Sequence, residues 1–231
     1  MKKPKFANGE IYHIYNRGVN KNNVFFDNND YLRFIYSMFE MNDTKPVERF
    51  YTPISEVKPP KIKENPFVDI LVFVLMPNHY HFILRQKIDN GISLFMQKIG
   101  TGYTMYINQK YERVGSLFQG TYKAIHIANE SYLLYLPYYI HLNPMDLIEP
   151  NWKTGKINNL SKAIKFLESY RWSSYLDYIG QKNFPSVINK NILINDNNPE
   201  NYKKEIINWL KELSEEDITN TVESIKEITL E

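Results

Sequence analysis

The run VDILVFVLM, residues 68–76, is interrupted only by Pro77-Asn78 before the chain resumes as HYHFILR. A stretch this apolar and rich in β-branched side chains is a buried strand. The Pro-Asn turn then sends HYHFILR back as its antiparallel neighbour. Two long paired strands commit the chain to a layered fold, since the hairpin must be covered to stay dry.

The remaining patterning supplies the cover. EIYHIYN (10–16) alternates as a strand and ends at the turn signal Arg17-Gly18. Asn29 or Asp30 is placed to cap a helix through YLRFIYSMFEMN. The pattern from Ser93 to Tyr111 predicts a helix, weakened by Gly100 and Gly102. Residues 115–127 read as a bent strand or hairpin, and Glu130 to Leu142 as a short helix stopped before Pro144. A further helix falls around 159–170. Residues 44–66 hold five prolines and little periodicity, which marks an inserted loop or arm. The order predicts an α+β domain over 1–180, with an antiparallel sheet and helices on one face. Residues 181–231 read as an acidic helical extension of two amphipathic helices, the second starting near Ser214.

Composition narrows the function. Without cysteine there is neither a disulfide framework nor a thiolate metal site, which suits a reducing, cytoplasmic setting. No apolar run approaches a membrane span. The net charge of +2 hides an asymmetry: residues 1–180 carry 22 Lys/Arg against 16 Asp/Glu, and residues 181–231 carry 6 against 10. The basic body suits a polyanion such as nucleic acid.

Of five histidines, two sit at positions 79 and 81. On a strand they share a face, with Tyr80 on the other, so both imidazoles can converge on one ion. A third ligand must come from elsewhere and, without Cys, is His, Asp, Glu, Asn or Gln. The helix in SYLLYLPYYIHLNP offers one. Tyr139 and Asn143 stand at i and i+4 on one face, Tyr135 extends that stripe, and Tyr138 points about 100° away. Pro137 is expected near enough to the helix start to be tolerated. Taken alone, the histidine pair also reads as ordinary strand residues, and the helix as ordinary packing.

MPNHYHFIL, GSLFQGTYKAI, YYIHLNP and WSSY, in that order, resemble the IS200-like transposases, and in particular the REP-associated tyrosine transposases. The resemblance runs from about Ile11 to about Tyr178 and implies a ferredoxin-like, RRM-like fold. It implies a single-stranded-DNA transposase of the histidine–hydrophobic–histidine type. His79, His81 and Asn143 match the metal ligands and Tyr139 the nucleophile, which would form a 5′-phosphotyrosine link. Mixed nitrogen and oxygen ligands suit Mg²⁺ or Mn²⁺, although ligand types alone do not separate these from Zn²⁺. The expected partner is single-stranded DNA with hairpin or palindromic elements, and the family leaves both monomer and homodimer open. The chain departs from the family pattern at Thr121, where a basic residue is usual, while Lys123 remains.

Arg17, Arg85, Arg113, Lys123 and Arg171 are candidate phosphate contacts. Trp172 is expected in the core. Two rival readings use the same residues: a catalytically idle nucleic-acid-binding regulator, and a metal-dependent hydrolase that uses water.

Overall fold

The computed structural model describes residues 3–45, 63–193 and 198–212. Four strands form one sheet: β1 (Ile11–Arg17), β2 (Val68–Met76), β3 (His79–Gln86) and β4 (Lys123–His126). Their order is β2-β3-β1-β4, and every neighbouring pair is antiparallel. With α1 (Asn28–Glu40) between β1 and β2, and α2 (Gly91–Lys110) between β3 and β4, this is the ferredoxin-like arrangement. β4 is much shorter than the expected 115–127. The remainder of that stretch touches β1 through a bridge between Gly18 and Phe118.

The sheet is covered on both faces rather than one. Tyr12, Ile14, Phe73, Tyr80, Phe82 and Leu84 pack beneath α1 and α2. Val72, Val74, Met76 and Ile83 pack on the other face. There they meet α3 (Glu130–Leu142), α4 (Leu160–Ser169), α5 (Tyr175–Tyr178) and α6 (Pro199–Glu212). This accounts for the unbroken apolar run of β2, all nine residues of which are buried. A strand hidden on one side only would alternate.

Local chemistry sets the ends of the elements. The cap of α1 is Asp27, not Asn29 or Asp30. Its carboxylate accepts the Asp30 N–H, and Asp30 Oδ2 accepts the N–H groups of Asp27 and Phe26. Asp30 is fully buried, and its other oxygen takes Lys110 and Tyr106 of α2, so one carboxylate joins both helices. α2 starts at Gly91, two residues before the expected Ser93. A Cβ there would stand 2.4 Å from the Phe67 carbonyl oxygen, so only glycine admits this approach.

α3 matches its expected span but begins two turns before Pro137, which lies in its interior. The missing N–H removes one bond, to the carbonyl four residues back, and the helix continues. Asn143 opens the short 3-10 turn Asn143–Leu147 with Pro144 in its first turn. Trp172 is core, stacked on Tyr31 at 4.6 Å. Of the two helices expected after Gly180, α6 is seen. It places Tyr202, Ile206, Trp209 and Leu210 in the core beside α3. The second falls outside the described residues, as does most of the proline-rich segment.

Candidate functional site

The β2–β3 turn delivers both histidines to the sheet face that α3 covers. Val74 lies opposite His81 and Met76 opposite His79 in the register, and residues directly opposite share a face. Val74 and Met76 belong to the same buried cluster as Tyr139 and Ile140. The imidazoles of His79 and His81 are therefore in the α3 layer, with ring centroids 5.1 Å apart and planes nearly perpendicular. Tyr80 points the other way, against Phe34, Phe82 and Phe118, where burial pushes its hydroxyl far above the usual tyrosine range.

Each histidine is oriented through Nδ1. The Asn78 Oδ1 accepts from His79 Nδ1 at 2.7 Å, which makes Nε2 the basic nitrogen of that ring. His81 Nδ1 stands 2.9 Å from Nε2 of His13, a β1 residue fully buried beside it. Tyr15 stacks near both rings, at 5.2 Å from His13 and 5.7 Å from His81. A partner on one ring nitrogen that fixes the other toward an ion is the usual arrangement around histidine ligands. His13 was not among the residues expected. Its signal was present in the alternation of EIYHIYN, which sets His13 and Tyr15 on one face.

Just past the end of α3, Asn143 Nδ2 donates to the Tyr139 carbonyl oxygen at 2.9 Å, as the i, i+4 spacing implies. Both residues are fully buried, and Asn143 Oδ1 is a buried oxygen with no hydrogen-bond partner. An amide oxygen in that state suits a cation. Among the described residues no cluster of three or more His, Cys, Asp or Glu could hold a metal. Two imidazole nitrogens with an amide oxygen would make a donor set of the kind that takes Mg²⁺ or Mn²⁺, though neither Asn143 nor Tyr139 lines the cavity described next.

His79 and His81 open onto a cavity of about 480 Å³. Arg17, Lys21, Lys123 and Lys153 line it, against a single carboxylate, Asp146. Arg17 donates to Gln119 at 2.7 Å on the rim, and Lys123 Nζ lies 5.8 Å from the Tyr15 ring. Of the five candidate phosphate contacts, only Arg17 and Lys123 line this cavity. Arg85 is held by Asp69 at 2.6 Å toward the other end of β3. Arg171 lies over Trp172 and Phe184, and Arg113 lines a separate depression with Lys21, Phe26 and Tyr111. Thr121 is exposed and faces a different groove. Asp146 and Lys153 were not anticipated, because the stretch after Asn143 has no periodicity that would place it.

Tyr138 and Tyr139 have different surroundings. Tyr138 Oη donates to Glu205 of α6 at 2.6 Å. Tyr139 is buried against Trp152, ring centroids 6.1 Å apart, with Lys153 Nζ 5.3 Å from its own centroid.

Residues 52–143 match the family model described as Transposase IS200 like, a span that takes in His79, His81, Tyr139 and Asn143. Over those residues the chain is similar to the IS200-like transposases. Its fold is similar to that of a REP-associated tyrosine transposase solved bound to a REP hairpin. The two share 12% identity at a TM-score of 0.54, over 82% of this chain and 90% of that one. A tRNA(His) guanylyltransferase from Saccharomyces cerevisiae is also matched, at 11% identity over 93% of this chain and 82% of that one. Its TM-score is 0.36. No curated protein matches the chain. Among the described residues no helix is long and apolar enough to cross a membrane.

Proposed function

We propose that this chain cleaves and rejoins single-stranded DNA through Tyr139, with His79, His81 and Asn143 holding a divalent ion. The observation that carries the reading is that both histidines line a cationic cavity on the sheet face covered by the Tyr139 helix. Four cations against one carboxylate suit the phosphates of a strand.

Tyr139 Oη attacks phosphorus, and the bond from phosphorus to the 3′-oxygen breaks. The strand downstream stays on the enzyme as a 5′-phosphotyrosine, and the tyrosine proton ends on the released 3′-hydroxyl. Energy is conserved in the ester, so another 3′-hydroxyl can reverse the step and join strands. A free phenol has a pKa near 10 and is a poor nucleophile at neutral pH, so the site must favour the attack. A divalent ion supplies Lewis-acid polarisation of a non-bridging phosphate oxygen. Arg17, Lys21 and Lys123 grip the backbone, and the His13 and Asn78 contacts hold the imidazoles in orientation. The likeness to a hairpin-bound transposase favours DNA with hairpin elements as substrate.

The test is incubation with single-stranded hairpin DNA and Mn²⁺, followed by a denaturing gel. A covalent adduct that disappears in Tyr139→Phe is expected. An adduct that survives moves the nucleophile elsewhere. Metal-dependent cleavage without an adduct supports a hydrolase using water, and binding without cleavage supports an idle regulator.

A further inference from the structure

Lysine side chains are rarely buried unless something holds them. Lys153 is 13% exposed at its side chain, and Asp146 binds its ammonium at 3.0 Å. Asp146 is itself fixed, since its other oxygen accepts the Trp152 indole N–H at 2.7 Å. The ammonium lies 5.3 Å from the centre of the Tyr139 ring and 5.7 Å from that of Trp152. The backbone is equally constrained: Lys153 is the middle residue of the 3-10 turn Trp152–Thr154, closed by Gly155 in the left-handed region.

The position is informative because Lys153 belongs to two environments at once. It packs beside the buried Tyr139, and it also lines the cavity that His79 and His81 open onto. Lys21 and Lys123 line that cavity too, with Lys123 Nζ at the Tyr15 ring. A structural role alone would be served by an apolar side chain next to two aromatic rings, with no need for a carboxylate tether.

We propose that Lys153 is a catalytic residue that contacts the scissile phosphate and offsets the negative charge that builds up there and on Tyr139 Oη during attack. Asp146 is its positioning residue. The inference rests on the reading of Tyr139 as nucleophile. The ammonium leaves the step as it entered. The bond from Tyr139 Oη to phosphorus forms, the bond to the 3′-oxygen breaks, and the proton passes from tyrosine to the released hydroxyl. Fixed charge aimed at developing charge acts chiefly on the rate, because it need not be reorganised when the reaction occurs. DNA affinity, which Arg17, Lys21 and Lys123 share, should respond much less.

The experiment measures single-turnover adduct formation at saturating single-stranded hairpin DNA with Mn²⁺. DNA affinity and the thermal unfolding midpoint are measured alongside for Lys153→Met, Lys153→Gln and Lys153→Arg. The neutral variants should slow adduct formation about 100-fold while affinity changes by less than about 3-fold. Lys153→Arg should recover most of the rate, and Asp146→Asn should lose part of it. A neutral variant that keeps both the wild-type unfolding midpoint and the wild-type rate overturns the inference. So does a loss that Lys153→Arg fails to restore, or one that appears wholly in affinity. If wild-type protein forms no adduct, the nucleophile assignment itself falls. If it forms one that is indifferent to Lys153, only this inference falls.

Discussion

His13 Nε2 and His81 Nδ1 face each other at 2.9 Å across the pairing of β1 with β3, both rings buried. They are diagonal rather than direct neighbours, since His13 stands opposite Ile83 and Tyr15 opposite His81. One ring must donate to the other, and a proton on His81 Nδ1 leaves Nε2 basic. Loss of such an orienting partner typically costs about 10- to 100-fold in metal affinity. His13→Phe should therefore weaken Mn²⁺ binding by that order in calorimetry, while His13→Gln, which can still bond His81, should weaken it less. Equal affinity in all three proteins would mean that His13 only fills space.

Tyr138→Phe separates the neighbouring tyrosines. Tyr138 turns toward α6, where burial and the Glu205 carboxylate push its hydroxyl well above the usual range. Its hydroxyl is thereby committed to a carboxylate of α6. The variant should form the DNA adduct at the wild-type rate. It should lose about 1 kcal/mol of stability in urea unfolding from the missing hydrogen bond. Loss of the adduct with the fold intact would reverse the assignment.

Gly18 closes the end of β1 beside the histidine turn. Its N–H donates to the Asn78 carbonyl at 2.8 Å, and a Cβ at this position would lie 2.1 Å from the Asn22 carbonyl oxygen. Backbone oxygen cannot step aside as the end of a side chain can. Gly18→Ala should cost about 1–3 kcal/mol and shift the segment carrying Lys21 at the cavity rim. Weakened DNA binding together with a lowered thermal midpoint is the expected pair of results.

These cases show what a sequence of this kind can disclose. Local sequence placed the β2–β3 hairpin, through an unbroken apolar run ending in a Pro-Asn turn, and the span of α3, through its helical repeat and the stop before Pro144. His79 and His81 were legible because residues two apart on a strand share a face. His13 was not, since its relation to His81 depends on which strands become neighbours. Lys153 was less legible still. It sits in an aperiodic connection, and only the packing of Trp152 beneath α3 brings it beside Tyr139. The second helical layer was missed: the sequence reading put helices on one face, although the unbroken apolar run of β2 is what burial on both faces produces. Residues 46–62 of the expected proline-rich insertion lie outside the described residues.

His141 links the Tyr139 helix to α6 and makes that link sensitive to acid. It lies on α3 two residues after Tyr139 and two before Asn143, fully buried. Its Nδ1 is 2.6 Å from Tyr202 Oη and its Nε2 is 2.7 Å from Ser174 Oγ. Burial lowers its pKa from 6.5 to about 3. Above pH 6.5 the ring is neutral in the folded and unfolded chain alike, so its contribution is fully present. As pH falls from there toward 3, the unfolded chain binds a proton that the folded chain refuses, and stability drops with each step. Urea unfolding from about pH 7 to about pH 5 should show this loss in the wild type. In His141→Gln the amide can still meet one of the two hydroxyls but cannot take up the proton. That variant should start less stable at neutral pH and decline less steeply through the same window. Parallel declines in the two proteins would assign the acid sensitivity to carboxylates instead, and would leave His141 a packing residue.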